Sequence, residues 1–377
     1  MSTTLNSAEL ARYARHITIP EFGLEGQQKL KDSSVLVIGS GGLGSPVLLY
    51  LAAAGVGRIG IVDFDVVDES NLQRQILFNV NDVGNSKAET AKKKLEALNP
   101  HIKIEVYNTR LTTENALDLV SKYDVVADGT DNFPTRYLVN DACVLAGKPN
   151  IYASIFRFEG QVSVFNYKFE DGTRGPNYRD LFPTPPPPGL VPNCAEGGVI
   201  GVLPGILGSL QASETIKVLT GVGEPLVGRL FLFDASSFET RTLKVKSNPN
   251  TKIEGLIDYQ QFCGIVPTNI TDVKEVTVQD LETLIKDGSD YQLIDVREPF
   301  EYDIANLGGE LIPLNAVLES AHKISKDKKV VIHCKSGRRS AKAIQQLEEL
   351  DSFENLYNLK GGILAYANEV DDSLVTY

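Results

Sequence analysis

Two short stretches of this sequence hold residue types that can do chemistry: His333-Cys334-Lys335-Ser336-Gly337-Arg338-Arg339-Ser340 and Gly39-Ser40-Gly41-Gly42-Leu43-Gly44. In the first, the apolar run Val330-Val331-Ile332 ends at a cysteine, and a turn rich in glycine and arginine then opens a helix. A thiol so placed sits among inward-pointing backbone N–H groups near a helix N-terminus, and Arg338 and Arg339 add positive potential. Those conditions favour the thiolate, the nucleophilic form. An inert core cysteine would leave the flanking glycine and arginines without a purpose. A phosphatase is the competing reading, because His-Cys at a strand end opens that signature too. A phosphatase loop interposes five residues between cysteine and arginine; here five residues lead to Ser340, and four lead to Arg339.

The second stretch follows one apolar run and precedes another, Ser45 to Ala54, which reads as strand, tight turn and helix. Gly39, Gly41, Gly42 and Gly44 let backbone N–H groups approach phosphates, and the helix N-terminus adds partial positive charge. Asp63 closes a second run, Ile59 to Val62, about 20 residues on, where a carboxylate can accept ribose hydroxyls. Alone, this pattern reads first as a nicotinamide or flavin site. The residues that follow change the reading. Arg74 comes after Ser70-Asn71-Leu72-Gln73, Lys87 after Val83-Gly84-Asn85-Ser86, and a third run, Asp124 to Ala127, leads into Asp128-Gly129-Thr130-Asp131-Asn132. Arg74 and Lys87 suit polyphosphate oxygens, one as a fork and one as a point charge. Asp131 can hold magnesium beside phosphate. Each alone is an ordinary surface charge; at successive strand ends, together, they point to a triphosphate.

The elements that must position these residues alternate β-α-β. The spacing predicts an α/β fold: a Rossmann-like, doubly wound parallel sheet in the first half, and a smaller α/β unit from about Lys274. That unit has strands at Gln292–Asp295 and Val330–Cys334 and amphipathic helices at Val278–Lys286 and Ser340–Glu349. The 377 residues fit about two domains. Boundaries are expected at 1–250, a mixed, turn-rich linker at 251–272, and 273–377. Pro183 to Pro192 reads as a stiff exposed loop.

Apolar residues at 42% and charged residues at 23% describe a globular chain. A net charge of −12 argues against nucleic-acid binding. The N-terminal residues hold no signal peptide, and no run approaches ~18 apolar residues, so neither export nor a membrane span is expected. The four cysteines, Cys143, Cys194, Cys263 and Cys334, are scattered rather than arranged as a disulfide framework. A cytoplasmic setting follows. Cys143 reads as core, Cys263 lies in the expected linker without a role, and the four histidines show no ligand spacing.

At this point residues 8–250 resemble the MoeB/ThiF family, prokaryotic relatives of ubiquitin-activating enzymes. The matching residues are Arg12-Tyr13-Ala14-Arg15-His16, the glycine loop, Asp63-Phe64-Asp65, Asn71-Leu72-Gln73-Arg74-Gln75, Lys87, Thr130-Asp131-Asn132, Glu159-Gly160-Gln161 and Gly208-Ser209-Leu210-Gln211-Ala212. The resemblance implies magnesium-ATP and a small ubiquitin-like sulfur carrier protein ending in Gly-Gly, adenylated on its C-terminal carboxylate. It implies that Gly42, Asp63, Ser70, Asn71, Arg74, Lys87, Asp131 and Asn132 line the ATP site, with Leu72 and Gln73 in the same motif. Asp131 would be the catalytic, magnesium-linked carboxylate. Arg15 would reach into a neighbouring subunit, making a homodimer. The family commonly has two zinc-binding C-x-x-C pairs. The corresponding residues here are Asn177 and Asp180, and Thr251 and Glu254, so no zinc is expected.

The C-terminal unit, about residues 273–377, is similar to the rhodanese family, on the Lys335–Arg339 loop, Asp295-Val296-Arg297-Glu298-Pro299 with Glu301-Tyr302, and Leu359-Lys360-Gly361-Gly362-Ile363. Ala305-Asn306-Leu307-Gly308-Gly309 departs from that pattern, and a local loop change is expected there. The resemblance implies that Cys334 takes sulfane sulfur as a persulfide from a donor such as a cysteine desulfurase, and passes it to the acyl-adenylate as a thiocarboxylate. Some relatives of the first domain use a cysteine at the position of Cys194 for a covalent bond to the carrier or a persulfide; an incidental loop thiol is the equal alternative. Two other readings stay open: an activator using a Cys194 thioester with a non-catalytic rhodanese module, and a nicotinamide oxidoreductase.

Overall fold

The computed structural model describes residues 4–186, 197–264, 273–350 and 353–375. The chain divides into two compact units, Met1–Val266 and Pro267–Tyr377.

In the first unit the described strands are β1 (Ser34–Ile38), β2 (Arg58–Val62), β3 (Lys103–Tyr107), β4 (Val125–Asp128), β5 (Asn150–Phe156), β6 (Glu159–Phe165), β7 (Arg229–Asp234) and β8 (Glu239–Lys244). They form one sheet in the order β3-β2-β1-β4-β5-β6-β7-β8. The first five are parallel and the last three join antiparallel. β1 is buried along its whole length, so it reads as an unbroken apolar run, as a strand covered on both faces must. Strand order reverses between β1 and β4, where Ile38 pairs with Asp128. In such sheets this crevice at the carboxyl ends is where ligands bind.

The helices that position the first site are α1 (Gly44–Ala54), α2 (Lys87–Leu98), α3 (Phe133–Ala146), the single turn α4 (Tyr178–Leu181) and α5 (Val202–Thr220). Ser86 caps α2 and Asn132 caps α3, each accepting from a backbone N–H three residues on. α5 lies close on α1: a Cβ at Gly208 would be 2.4 Å from Pro46 Cγ.

The reading of residues 251–272 as a linker is corrected for its first part. A short helix, α6 (Tyr259–Phe262), packs into the first unit, and Tyr259 and Cys263 join its core. These two anchors, spaced among polar residues, leave no periodic signature, which is why the stretch reads as irregular. Tyr259 Oη donates to Asp141 Oδ2 at 2.8 Å. Arg179 donates to the same carboxylate through Nε at 2.8 Å and Nη2 at 2.7 Å. Its guanidinium also lies 4.5 Å from the Phe262 ring centroid and 5.1 Å from that of Tyr137.

The loop near residue 180 is held by the same kind of contact. Asn177 and Asp180 form a capping box on α4, and Asp180 Oδ1 accepts from Asn248 N at 3.1 Å. Asn177, Asp180, Thr251 and Glu254 offer an amide, two carboxylates and a hydroxyl, and the Asn177 and Asp180 side chains are committed to backbone. A structural zinc does not fit that donor set. Among the described residues no group of three or more His, Cys, Asp or Glu could hold a metal ion.

In the second unit β9 (Glu275–Val276), β10 (Tyr291–Asp295), β11 (Glu310–Leu311), β12 (Lys329–His333) and β13 (Leu356–Leu359) form a parallel sheet ordered β11-β10-β12-β13-β9. Helices α7 (Val278–Lys286), α8 (Pro299–Ile304), α9 (Arg338–Leu350) and α10 (Gly362–Glu369) accompany it. α9 begins two residues before the expected Ser340, so Arg338 and Arg339 belong to its first turn. Around the departure at Ala305–Gly309, Asn306 Oδ1 accepts from Gly308 N at 3.1 Å, and Gly308 takes φ +77°.

Arg179→Ala should strip the buried Asp141 of its bidentate partner and cost about 3 kcal/mol. Calorimetry should show this as a fall of roughly 6–12 °C in the first unit's transition. Dialysis of the unsubstituted chain against a chelator should leave that transition in place.

Candidate functional site

The turn after β1 is built around glycine. Gly39 takes φ +86°, and a Cβ on Gly44 would lie 2.0 Å from the Gly39 carbonyl oxygen. Gly39 N donates to Val62 O at 2.8 Å and Gly129 N to Ile38 O at 2.9 Å. The loops after β1, β2 and β4 are thus stitched together at the sheet's carboxyl end, with the N-terminus of α1 beside them. Asp63 Oδ2 accepts from Ser40 N at 2.8 Å and Ser40 Oγ at 2.7 Å, and its Oδ1 from Asp65 N at 2.9 Å. Asp63 therefore orients the glycine turn. Its Oδ1, with one bond made, keeps acceptor capacity for a sugar hydroxyl.

Gly42 faces Pro204, with a Cβ there 3.2 Å from Pro204 Cβ, and Gly41 faces Gln75 Nε2 at 3.4 Å. Ser70 and Asn71 lie in the 3₁₀ turn Glu69–Asn71, which Asp68 caps. Leu72 packs against the core, while Gln73 lies against Gly201 at the start of α5. Arg74 Nη1 donates to Ser70 O at 3.2 Å. Lys87 is buried, and among the described residues its Nζ makes one hydrogen bond, a loose 3.4 Å to Asp65 Oδ2. Asp131 and Asn132 are exposed beyond β4, and Asp131 Oδ1 accepts a long bond of 3.4 Å from Asn132 Nδ2. The crevice fits a nucleotide: its floor is a cradle that Cβ atoms would fill, and its cations are lightly held. A magnesium ion asks for hard oxygen donors, which the exposed Asp131 carboxylate offers. Arg15 stands exposed on the turn Ala14–Ile17, outside this set of contacts.

Sequence reasoning gave no role to the residues under this crevice. Asp128 is fully buried, and its Oδ1 accepts from Thr130 N at 2.9 Å and Thr130 Oγ1 at 2.6 Å. Burial pushes its carboxyl above the usual range, against the pull of the Arg136 guanidinium. Arg136 Nη2 donates to Thr130 O at 3.0 Å. Gln211, from α5, donates to Asp128 O at 2.8 Å and Ile151 O at 2.7 Å, tying β4 to β5. These contacts shape the turn that presents Asp131. The Asp-x-Thr spacing, which favours a side-chain-capped turn, was the available signal.

In the second unit Cys334 follows β12 directly. Its Sγ accepts from Gly337 N at 3.2 Å and from Ser340 Oγ at 3.5 Å. Gly337 takes φ +88°, which turns its N–H toward the sulfur. Ile363 N donates to Cys334 O at 2.9 Å and Leu364 N to Lys335 O at 3.1 Å, fixing the loop to α10. Ser336 and Arg338 are exposed. Burial pulls His333 down to about 4, so the ring is neutral, with Nε2 3.7 Å from Asp295 Oδ2. Arg297 is buried against Asp295, and Arg339 pairs with Glu301. Burial raises the thiols of Cys143 and Cys263, the latter to about 11, so neither is poised as a nucleophile. Cys194 lies outside the described residues.

The family model described as the ThiF family matches residues 13–255, and that of the rhodanese-like domain matches residues 277–369. The chain is 49% identical to a probable adenylyltransferase/sulfurtransferase, MoeZ, of Mycobacterium tuberculosis, across 100% of its own length and 97% of that protein. Over 68% of its length it is 54% identical to a sulfur carrier protein adenylyltransferase of Thermus thermophilus, spanning 97% of that protein. It is 40% identical over 99% of its length to the adenylyltransferase and sulfurtransferase MOCS3 of Drosophila grimshawi, spanning 87% of it. The crystal structure of E. coli MccB with ATP matches at a TM-score of 0.55 and 25% identity, over 66% of this chain and 75% of that one. The chain belongs to the ThiF family, carries a rhodanese-like second domain, and is an adenylyltransferase and sulfurtransferase.

Proposed function

We propose that the first unit adenylates the C-terminal Gly-Gly carboxylate of a ubiquitin-like sulfur carrier, and that Cys334 then delivers sulfur to it. The observation that carries this reading is the pairing, in one chain, of a cation-rimmed glycine crevice with a thiol held by backbone N–H at a strand end. The Thermus relative named for a sulfur carrier, and the fold neighbour crystallised with ATP, support the same reading.

The carrier carboxylate attacks the α-phosphorus of ATP, the α–β bond breaks, and pyrophosphate leaves. No enzyme nucleophile is needed. The chain must instead bring two anions together and neutralise charge at the α-phosphate. Arg74, Lys87 and the N–H groups of the glycine turn supply donors for the phosphates, and Asp63 aligns that turn. Magnesium, held at Asp131, would add charge neutralisation between the phosphates.

The Cys334 persulfide, loaded from a thiol-borne donor such as a cysteine desulfurase, attacks the acyl carbon and AMP leaves. The product is an acyl disulfide on Cys334. A second thiol attacks Cys334 Sγ, the S–S bond breaks, and the thiocarboxylate departs. That thiol takes over the disulfide, which a further thiol reduces. Cys194 is our candidate for the resolving thiol. Carrying both units on one chain raises the local concentration of persulfide around a bound carrier. Arg15 is proposed to complete the site of a second subunit in a homodimer. A reducing cytoplasm keeps the thiols available. Among the described residues no helix is long and apolar enough to cross a membrane.

Arg74→Ala and Asp131→Asn should each lower kcat/KM for carrier-dependent ATP–pyrophosphate exchange by roughly 100-fold or more. Exchange that survives both would remove the crevice from the reaction. Cys334→Ala should keep exchange while forming no thiocarboxylate, read by mass of the carrier C-terminus after ATP and a persulfide donor. Normal thiocarboxylate in that variant would favour a Cys194 thioester and a non-catalytic second unit.

A further inference from the structure

Lys335, Arg338 and Arg339 place three cations in the sulfur loop and the first turn of α9. Arg339 is committed elsewhere. Its Nη1 donates to Glu301 Oε2 at 2.5 Å and its Nη2 to Glu301 Oε1 at 2.7 Å, a fork-to-fork pair. Glu301 is 5% exposed, so solvent and salt screen the pair weakly. Its carboxylate is also fixed independently of the arginine. Glu301 stands at the third position of α8, where Oε2 accepts from Glu298 N at 3.0 Å, and Pro299 pre-sets the helix start. Arg338 is exposed, and a further guanidinium, Arg297, is fully buried and spent on Asp295 and the Ala305 carbonyl. Arg297 and Arg339 are thus each matched by a carboxylate of their own. Burial also weakens the hold of Lys335 on its proton.

Sulfane sulfur reaches a cysteine from two chemical classes of donor. Thiosulfate brings two negative charges and sulfonate oxygens, which need cationic hydrogen-bond donors once water is stripped away. A persulfide brings one polarisable sulfur chain and no oxyanion. We infer that Glu301 is a specificity residue: by holding Arg339 in a bidentate pair, it turns the Cys334 loop away from oxyanionic donors and toward thiol-borne persulfides. This rests on Cys334 being the sulfur acceptor. In either case the Cys334 thiolate attacks the outer sulfur and the donor S–S bond breaks. Thiolate leaves from R–S–SH, or sulfite from thiosulfate, and Cys334 is left as the persulfide.

The test uses the full chain and two donors, thiosulfate and the persulfide of 2-mercaptoethanol. Glu301→Gln keeps the shape and the acceptor for Glu298 N while removing the charge. It should raise kcat/KM for thiosulfate about tenfold, through KM, as one charge-assisted contact is freed. That gain should shrink at high salt, and transfer from the persulfide should be little changed. Glu301→Asp withdraws the carboxylate from Arg339 by one methylene; it should give a smaller gain in the same direction, and it decides the matter if the glutamine variant does not fold. No gain in either variant, or changes that run in parallel for both donors, overturns the proposal and leaves Glu301 a structural brace. Mass measurement of Cys334 separates this from the broader reading: if neither donor adds a sulfur to Cys334 in the unsubstituted chain, the assignment of the acceptor fails instead.

Discussion

A side chain at position 44 would collide with the carbonyl of Gly39 at 2.0 Å, and this close approach governs the first unit. The turn must reverse within a few residues so that α1 starts where β1 ends. Only then do the N–H groups of the turn and the dipole of α1 converge on the crevice between β1 and β4. The register of Ile38 with Asp128 sets where the two loops meet, and the bonds from Gly39 to Val62 and from Gly129 to Ile38 lock them. Asp63 then holds Ser40 from the side, so the loop's shape is determined before any ligand arrives.

The second unit solves a related problem with the same means. A strand ends, a glycine of positive φ turns an N–H toward the reactive atom, and a helix begins. A Cβ at Gly362 would lie 2.4 Å from the Cys334 carbonyl oxygen, so this loop too depends on backbone packed against backbone. Thiolate and phosphate ask for similar surroundings, because both are anions that backbone dipoles can hold without a competing side chain.

This shared device is why the sites were legible in sequence. Apolar runs of β1, β4 and β12 that lead into glycine-bearing turns are local signals, and the charges of Arg74, Lys87 and Asp131 lie in the segments that follow β2 and β4. What could not be read is what comes together only through the fold. Asp128 looks like the end of a strand until Thr130, Arg136 and Gln211 surround it. Asp141, Arg179 and Tyr259 come from three distant segments, so nothing local announced that residues 256–263 close the first core. Absent cysteines can be read from sequence; the capping box and ion pair at that place cannot. Glu301 was visible as part of a motif, while its grip on Arg339, 38 residues away, was not.

The two candidate sites diverge in how they treat charge, and the divergence follows the chemistry proposed for each. The crevice proposed for the nucleotide needs cations for a polyphosphate, and among the described residues its arginine and lysine make one hydrogen bond to a carbonyl and one loose carboxylate contact. Such cations can change partner when a ligand with more oxygens arrives. Around Cys334 the guanidiniums of Arg297 and Arg339 are each paired with a carboxylate that a backbone N–H itself positions. A buried pair of that kind adds little net stability, because desolvation offsets most of the attraction. Its effect is on the field at the reaction centre: the charge of Arg339 is offset by Glu301, which leaves the N–H groups around the sulfur a larger share of the field there. A thiolate or persulfide is held well by such a field, and a divalent oxyanion is not.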